Sequence, residues 1–589
     1  MCAIAGIIDP HVEAEVAAGK VHAMLRCLRH RGPDGSGIQM HPHCVLGANR
    51  LAQVDAVNGQ QPMSSPDGRW TLVFNGEIHN HRSLRQELSK HWPFITQSDT
   101  EVLLAALIIW REEALLRLNG MFAFFLWDAQ KNEGLAGRDR LGVKPFVWML
   151  HGDGLAFASE AKALLEILPG RPQINSKAVL EYFIVPCFSG VAEPMFAGMH
   201  HLPPGHLLTL IEGRVEQRAW WRYDLRRSIN DDAEGLQQAL HELLPRTVAR
   251  ALDTDTRAAV FLSGGLDSTL LASCAKPHDV TCGYTIEFEG QPHFDYAKAL
   301  MVKSDDVPFA AEAAHEIGMN HHLVPVSRAT LADDLRMLAI HNDALPAWEQ
   351  ELAQHHLARA VTTQYRAVLV GDAADETHYG YGFMLDDVSI SGPGALLSRF
   401  GSPKLNRSME GAASELRQHY THMMAESGHG NITRADRLRG ITHLIVQRWL
   451  PRLLHNGDIH TMAHSVEARV PFADAELLEL AVQIHPELAL SGGLEKSLLR
   501  QAAKGLMPET ARLRRKSSLS KDDACTRIYQ QEAQKALDAF SHLLGHWLDL
   551  DPIRQLCHPV CAPTEMERAL LFRIICFHHW ATAYQVREP

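Results

Sequence analysis

Ala258-Ala259-Val260-Phe261-Leu262-Ser263-Gly264-Gly265-Leu266-Asp267-Ser268 is an apolar run that passes through two glycines into a stretch of helical character. Ala258–Leu262 has the length and content of a buried strand, and a helix is expected from about Thr269 to Ala275. The glycines let backbone N–H groups approach an anion, the serines donate hydrogen bonds, and a helix N-terminus favours negative charge. The segment lacks the Gly-Lys-Ser/Thr ending of a Walker loop, so γ-phosphate transfer is not its natural chemistry. A generic glycine turn is the alternative, which the strand–loop–helix setting disfavours.

Toward the C-terminus the alternation continues. Strand Cys282–Phe288, helix Pro308–Ile317, strand His322–Val326, two helices between Ala329 and Ala360, and strand Arg366–Gly371 follow in order. Such βαβ repetition predicts a parallel sheet with ligand sites beyond the C-terminal ends of its strands. Gly371-Asp372-Ala373-Ala374-Asp375-Glu376 stands at such an end. Its three carboxylates suit Mg²⁺ held on phosphate oxygens; a solvated acidic turn is the alternative. Residues 396–447 and 530–589 read as helical and carry no interpretable motif.

Toward the N-terminus, a polar connector at Arg222–Glu234 separates this region from a different pattern. The expected domains are therefore 1–215 and 235–589. Ala3–Ile8, Cys44–Ala48, Trp70–Phe74, Phe122–Trp127, Gly134–Gly137 and Leu155–Ala158 read as short strands. Helices at Ser83–Ser89 and Thr100–Glu112 lie between them, so a layered α+β domain is expected. Polar residues fall at strand ends: Arg50, then Asn75-Gly76-Glu77. Asp99 precedes the helix in the place of an N-cap. An Asn-Gly pair at a strand end can offer a side-chain amide and a backbone N–H to one oxyanion, or be no more than a turn.

Cys2 has only the initiator methionine before it. Removal of that methionine would set the thiol beside a free α-amino group, whose pKa of about 7.7–8.0 suits a general base. A nucleophile with its own base needs no separate histidine.

Composition narrows the class. With 589 residues, 46% hydrophobic and 21% charged, the chain is long enough for two or three domains of ordinary globular type. A net charge of −12 argues against binding nucleic acid. The longest apolar run, Val102 to Trp110, is too short to span a bilayer. The N-terminus has no signal-peptide pattern. Ten scattered cysteines, without a Cys-x-x-Cys pair, fit a reducing cytoplasm rather than a disulfide framework or a zinc site.

Taken in order, Cys2, His30-Arg31-Gly32-Pro33-Asp34-Gly35-Ser36-Gly37, Arg50, Asn75-Gly76-Glu77-Ile78, Ser98-Asp99-Thr100-Glu101 and Arg138–Pro145 closely resemble the glutaminase domain of class II glutamine amidotransferases. These have the layered αββα N-terminal-nucleophile hydrolase fold. The resemblance implies Cys2 as nucleophile, Asn75 and Gly76 as the oxyanion hole, Arg50 on the α-carboxylate of glutamine, and Glu77 and Asp99 on its α-ammonium. Ala3 stands where that family usually has glycine. Ser263–Ser268 resembles the pyrophosphate loop of ATP pyrophosphatases, which adenylate carboxylates. With Met462–Phe472, Glu495-Lys496 and Lys516, the whole order resembles glutamine-hydrolysing asparagine synthetase over most of the chain.

That resemblance implies an α/β ATP-pyrophosphatase domain with helical additions, and ATP and Mg²⁺ as cofactors. ATP would lie on Ser263, Gly264, Gly265, Leu266, Asp267 and Ser268, with metal at Asp267 and Asp375. Lys496 and Asp372 would be catalytic, and ammonia would pass internally to an adenylated carboxylate. A homodimer is compatible with it. Departures cluster in the second domain. Asp372-Ala373-Ala374 replaces the usual Glu-Gly-Ser, and Thr377-His378-Tyr379 and Asp458-Ile459-His460 also differ. The stretch Gly290–Asp306 looks expanded. Shortening glutamate to aspartate withdraws the carboxylate by about 1.5 Å. The acceptor is thus aspartate or a different carboxylic acid. A β-lactam-synthetase-like enzyme and a non-catalytic ammonia-supply or regulatory subunit are the remaining alternatives.

Overall fold

The computed structural model describes residues 2–226, 232–296, 302–398, 404–426, 433–518 and 523–588. Parts of the connector, of the Gly290–Asp306 stretch and of the 396–447 region lie outside them. The N-terminal region stacks two six-stranded sheets, and antiparallel pairing joins the neighbouring strands throughout both. The first contains Cys2–Ile8 between Cys44–Arg50 and Gly154–Ala158; the second contains Trp70–Ile78 beside Gly120–Asp128.

The period of two along each strand assigns its faces. On the first strand, Ala3, Ala5 and Ile7 pack under helix Ala14–Cys27, while Ile4 and Ile8 enter the core between the sheets with Val73, Phe125 and Phe157. On the second sheet, Leu72, Phe74, Phe122 and Phe124 turn outward to helix Asp99–Trp110. Helix, sheet, sheet, helix is the resulting order. Strands buried on both faces explain why their sequences read as nearly continuous apolar runs.

Several elements extend beyond their expected ends. Trp70–Ile78 runs straight through Asn75-Gly76-Glu77, which is strand and not a turn. A Cβ on Gly76 would lie 2.0 Å from the Met121 carbonyl oxygen, so the two strands approach closely only because glycine is there. Asp99 is the first helical residue rather than the cap; the Ser98 hydroxyl accepts from Thr100 N. The strands Gly35–His41, Val147–His151 and Met199–His201 complete the first sheet, and Met63–Ser64, Glu133–Arg138, His206–Ile211 and Arg214–Ala219 the second.

The C-terminal region holds a five-stranded parallel sheet in the order Asn320–Val326, Cys282–Phe288, Ala258–Phe261, Ala367–Leu369, Glu467–Arg469. The chain builds outward on one side of Ala258–Phe261 and then on the other. The strand order therefore reverses between Ala258–Phe261 and Ala367–Leu369, the switch point where ligands of open α/β sheets bind. Helix Leu266–Ala275 starts three residues earlier than its composition indicates, with Gly265 as N-cap. Helices Leu266–Ala275, Asp306–Ile317, Gln350–Val361 and Leu450–Met462 pack on the sheet, while Thr526–Leu544 and Glu565–Tyr584 pack on each other and on Leu331–His341. One apolar core runs from Ala3 to Ala581 and joins both regions. Among the described residues, no helix is long and apolar enough to cross a membrane.

Candidate functional site

Two constellations stand out, one in each region. In the first, Cys2 begins its strand opposite Arg50. Its backbone N–H donates to Asn75 Oδ1 at 3.2 Å, and its buried Sγ accepts from Gln61 Nε2 at 3.5 Å. Burial pushes the thiol above its ordinary pKa, against the pull of Arg50. Asn75 is fully buried, and its Nδ2 has no hydrogen-bond partner among the described residues. An unused buried donor is costly and therefore marks a place for an acceptor. The Cys2 N–H to Asn75 Oδ1 bond joins the two sheets, so Cys2 and Asn75 come together from two strands without any turn.

The Arg50 guanidinium donates to the carbonyls of Val54, Asp55 and Ala56 at 2.9, 2.7 and 2.8 Å, folding that loop over the site. Asp99 accepts from Ile78 N at 3.1 Å, and burial pushes its carboxyl up. Glu77 Oε1 accepts from Arg469 Nη2 at 2.8 Å, a contact with the other region. Glu77 Oε2 makes no hydrogen bond among the described residues and lies 3.9 Å from His79 Nε2.

In the second constellation the loops after Ala258–Phe261 and Ala367–Leu369 converge. Lys496 Nζ donates to both oxygens of Asp267, at 2.8 and 2.6 Å, and to Asp375 Oδ1 at 2.6 Å. Lys516 bonds the other oxygen of Asp375. Burial opposes charge on Asp375, yet the two lysines hold it down to about 2. Asp372 has no such lysine of its own; burial, with Asp375 and Asp267 adding, pushes it up to about 6 despite Lys516. Its Oδ2 faces Gly457 on helix Leu450–Met462, 3.4 Å from where a Cβ would stand.

The glycine-rich loop is built from the inside. Ser268 Oγ accepts from Ser263 N at 3.1 Å and meets Ser263 Oγ at 3.0 Å. Gly264 has φ +69°, and a Cβ there would strike Ala310 N at 2.4 Å, so only glycine fits. Arg514 donates to the Ser263 carbonyl at 2.9 Å and to Asp306 at 2.7 Å, and lies over Phe309. Two carboxylates bridged by one ammonium are a hard, oxygen-only donor set that a divalent cation can enter. Among the described residues no three His, Cys, Asp or Glu side chains converge as a metal site. A Mg²⁺ ion would then complete its shell with phosphate and water, its usual habit.

Buried charges connect the constellations. Arg469 pairs with Glu77 and lies 3.8 Å from Glu467. Lys144 lies 3.7 Å from Glu467 and 3.5 Å from Asp458, which accepts from Arg31 at 2.6 Å. Asp458 neighbours Gly457 in the chain, and Gly457 faces Asp372. Gln61, Arg469 and Arg514 were not among the expected site residues. Arg469 had one local signal: Glu467 and Arg469 alternate on a strand and so share a face.

The family described as "Glutamine amidotransferase domain" matches residues 1–221, and that described as "Asparagine synthase" matches residues 239–581. Asparagine synthetase [glutamine-hydrolyzing] 3 of Bacillus subtilis (strain 168) is 30% identical, covering 88% of this chain and 87% of its own. Asparagine synthetase B [glutamine-hydrolyzing] of Escherichia coli (strain K12) is 27% identical, covering 88% and 82%. Among solved structures, glutamine phosphoribosylpyrophosphate amidotransferase from B. subtilis aligns with a TM-score of 0.29 and 17% identity, over 55% of this chain and 66% of that one. The chain belongs to the glutamine-hydrolysing asparagine synthetase family.

Proposed function

We propose that the chain hydrolyses glutamine at Cys2 and uses the ammonia to amidate a carboxylate activated by ATP, with aspartate as the acceptor. The observation that carries this reading is the pairing, in one chain, of a thiol beside an unused buried amide donor with a glycine loop facing a lysine-bridged carboxylate pair. With Cys2 as the first residue of the processed chain, its α-amine takes the thiol proton, which burial otherwise retains. The sulfur attacks the glutamine amide carbon, Asn75 Nδ2 and the Gly76 N–H meet the oxyanion, and ammonia leaves with the proton; water then cleaves the thioester, freeing glutamate and the thiol. Arg50 receives the α-carboxylate; Asp99 and Glu77 receive the α-ammonium.

In the second site the triphosphate lies on Ser263–Ser268. Mg²⁺ bound by Asp267 and Asp375 would neutralise phosphate charge. The acceptor carboxylate displaces pyrophosphate from the α-phosphorus, and Lys496 and Lys516 stabilise the departing charge. Ammonia then attacks the activated carbon, AMP leaves, and Asp372 accepts the surplus proton. Ammonium is no nucleophile, so the ammonia must travel out of bulk water. The buried side chains from Glu77 to Asp458, and the apolar pair Leu51 and Met462 beside them, support a passage through the shared interface.

The shortened Asp372-Ala373-Ala374 loop favours a second reading, the same chemistry on a different carboxylic acid. Glutamine, ATP·Mg²⁺ and a panel of carboxylic acids, with pyrophosphate and glutamate followed together, separate the two. Pyrophosphate release stimulated by aspartate alone supports the first reading, and release with another acid supports the second. Release with none refutes both.

A further inference from the structure

Gln61 meets the sulfur of the first constellation, and its amide can face that sulfur in only one way. The side chain is buried, the residue being 7% exposed. Phe74 N–H, which can only donate, lies 2.7 Å from one end of the carboxamide and so fixes that end as Oε1. The nitrogen end therefore points to Cys2 Sγ and Thr100 Oγ1, each at 3.5 Å. The backbone of Gln61 is held as well. A Cβ on Gly37 would lie 2.3 Å from the Gln61 carbonyl oxygen, so strand Gly35–His41 runs directly against it.

The two ends of this amide are unequally served. The bond to Oε1 is short, whereas 3.5 Å to the Thr100 hydroxyl is at the limit for a bond between neutral groups. A thiol is a weak acceptor and a thiolate a strong one. The Nε2–H donor thus gains most when the sulfur is charged, and by the same linkage it favours the charged form. Burial opposes that charge most. The amino terminus and Arg50, opposite Cys2 on the neighbouring strand, favour it; the Leu51 N–H adds a backbone donor, and Asp99 at the head of its helix opposes it. Gln61 supplies a donor to the buried sulfur without adding a second buried charge.

We infer that Gln61 acts on the nucleophile, its Nε2–H holding the Cys2 sulfur as thiolate. The bond strengthens as the thiol proton passes to the α-amine, and again when water cleaves the thioester and the C–S electron pair returns to sulfur. The Cys2 nitrogen that takes the proton already donates to Asn75 Oδ1. Strand Trp70–Ile78 then serves both halves of the ion pair: Asn75 accepts from the nitrogen, and Phe74 orients the amide that meets the sulfur. This inference rests on Cys2 as the glutamine nucleophile.

Iodoacetamide alkylation of the full chain, read by mass on the N-terminal peptide, gives the titration of Cys2 itself. Gln61→Met removes the donor and keeps the length of the side chain. Gln61→Glu keeps an oxygen for Phe74 N–H and sets a second oxygen against the sulfur. In both, the pH midpoint of alkylation should rise by about one pH unit or more, so that alkylation near neutral pH slows roughly tenfold, the loss of one hydrogen bond to a charged group. A midpoint equal to that of the unmodified chain would overturn the inference, even with alkylation slower at every pH, because a packing role alters access to the sulfur and not its titration. Glutamate release by Cys2→Ala is followed separately. If it persists, the reading of Cys2 as glutaminase nucleophile fails, whereas the alkylation midpoints still decide what Gln61 does to the sulfur.

Discussion

Arg469→Met tests how strongly the interface depends on its buried charges. Arg469 is fully buried, and its Nη2 serves Glu77 at 2.8 Å and Gln53 Oε1 at 3.0 Å. Methionine fills much of the same space but leaves Glu77 and Glu467 facing each other. Lys144, 3.7 Å from Glu467, and His79, 3.9 Å from Glu77, then stand beside the pair. Removing one partner of a buried pair costs about 3–5 kcal/mol, because the other charge is left uncompensated. Urea unfolding followed by tryptophan fluorescence should show the first transition shifted by that amount. Burial, with Glu77 adding, already pushes the Glu467 carboxyl up, so the variant relieves itself by taking a proton. A neutral carboxyl needs no partner, and the deficit should shrink as pH is lowered. Adding Glu77→Gln should recover about 0.5–3 kcal/mol of the loss, the range for residues in direct contact. A shift below about 0.5 kcal/mol, the size of an ordinary surface change, would refute the reasoning. A double variant no more stable than Arg469→Met would refute it equally.

Gly76→Ala should lower glutamine-dependent turnover by about 10²–10³, the effect of losing one oxyanion donor, while ammonia-dependent turnover is kept. Its methyl would collide with the Met121 carbonyl oxygen, displacing the strand that carries Asn75. Asp372 accepts a proton only as a carboxylate, and burial holds its pKa up to about 6. Amide formed per glutamate released should therefore fall as pH drops through about 6. In Asp372→Asn that ratio should be low and flat across the same range; a titration that survives the substitution would assign it to another group.

The parts of the site that were legible in the sequence are the local ones. Ser263–Ser268 follows a short apolar strand and opens a helix, so its anion-facing character is written in eleven consecutive residues. The alternation of strand and helix around it fixes the sheet as parallel, and hence the end where Asp375 must lie. Asn75-Gly76 misleads locally because glycine usually breaks a strand. Here its missing side chain is what lets the strand continue against Met121. Ser98 and Asp99 are both able caps, and only the Ile78 N–H, which takes the Asp99 carboxylate, decides between them. The link from Glu77 to Arg469 spans 392 residues, and no local pattern encodes it. The same holds for Arg514, whose role depends on the Ser263 carbonyl 251 residues earlier. Chemistry carried by short segments could be read, whereas the contacts that join the two sites arise only when the chain folds.

Cys2→Ala tests the central claim most directly. The variant, given ATP·Mg²⁺ and the acceptor acid, is assayed for pyrophosphate and amide with glutamine and then with ammonium chloride. Two sites joined by ammonia predict no glutamate release and no glutamine-driven amide, with ammonia-driven amide at the level of the unmodified chain. Glutamine use that persists without the thiol, or loss of the ammonia-driven reaction in a folded variant, would contradict it.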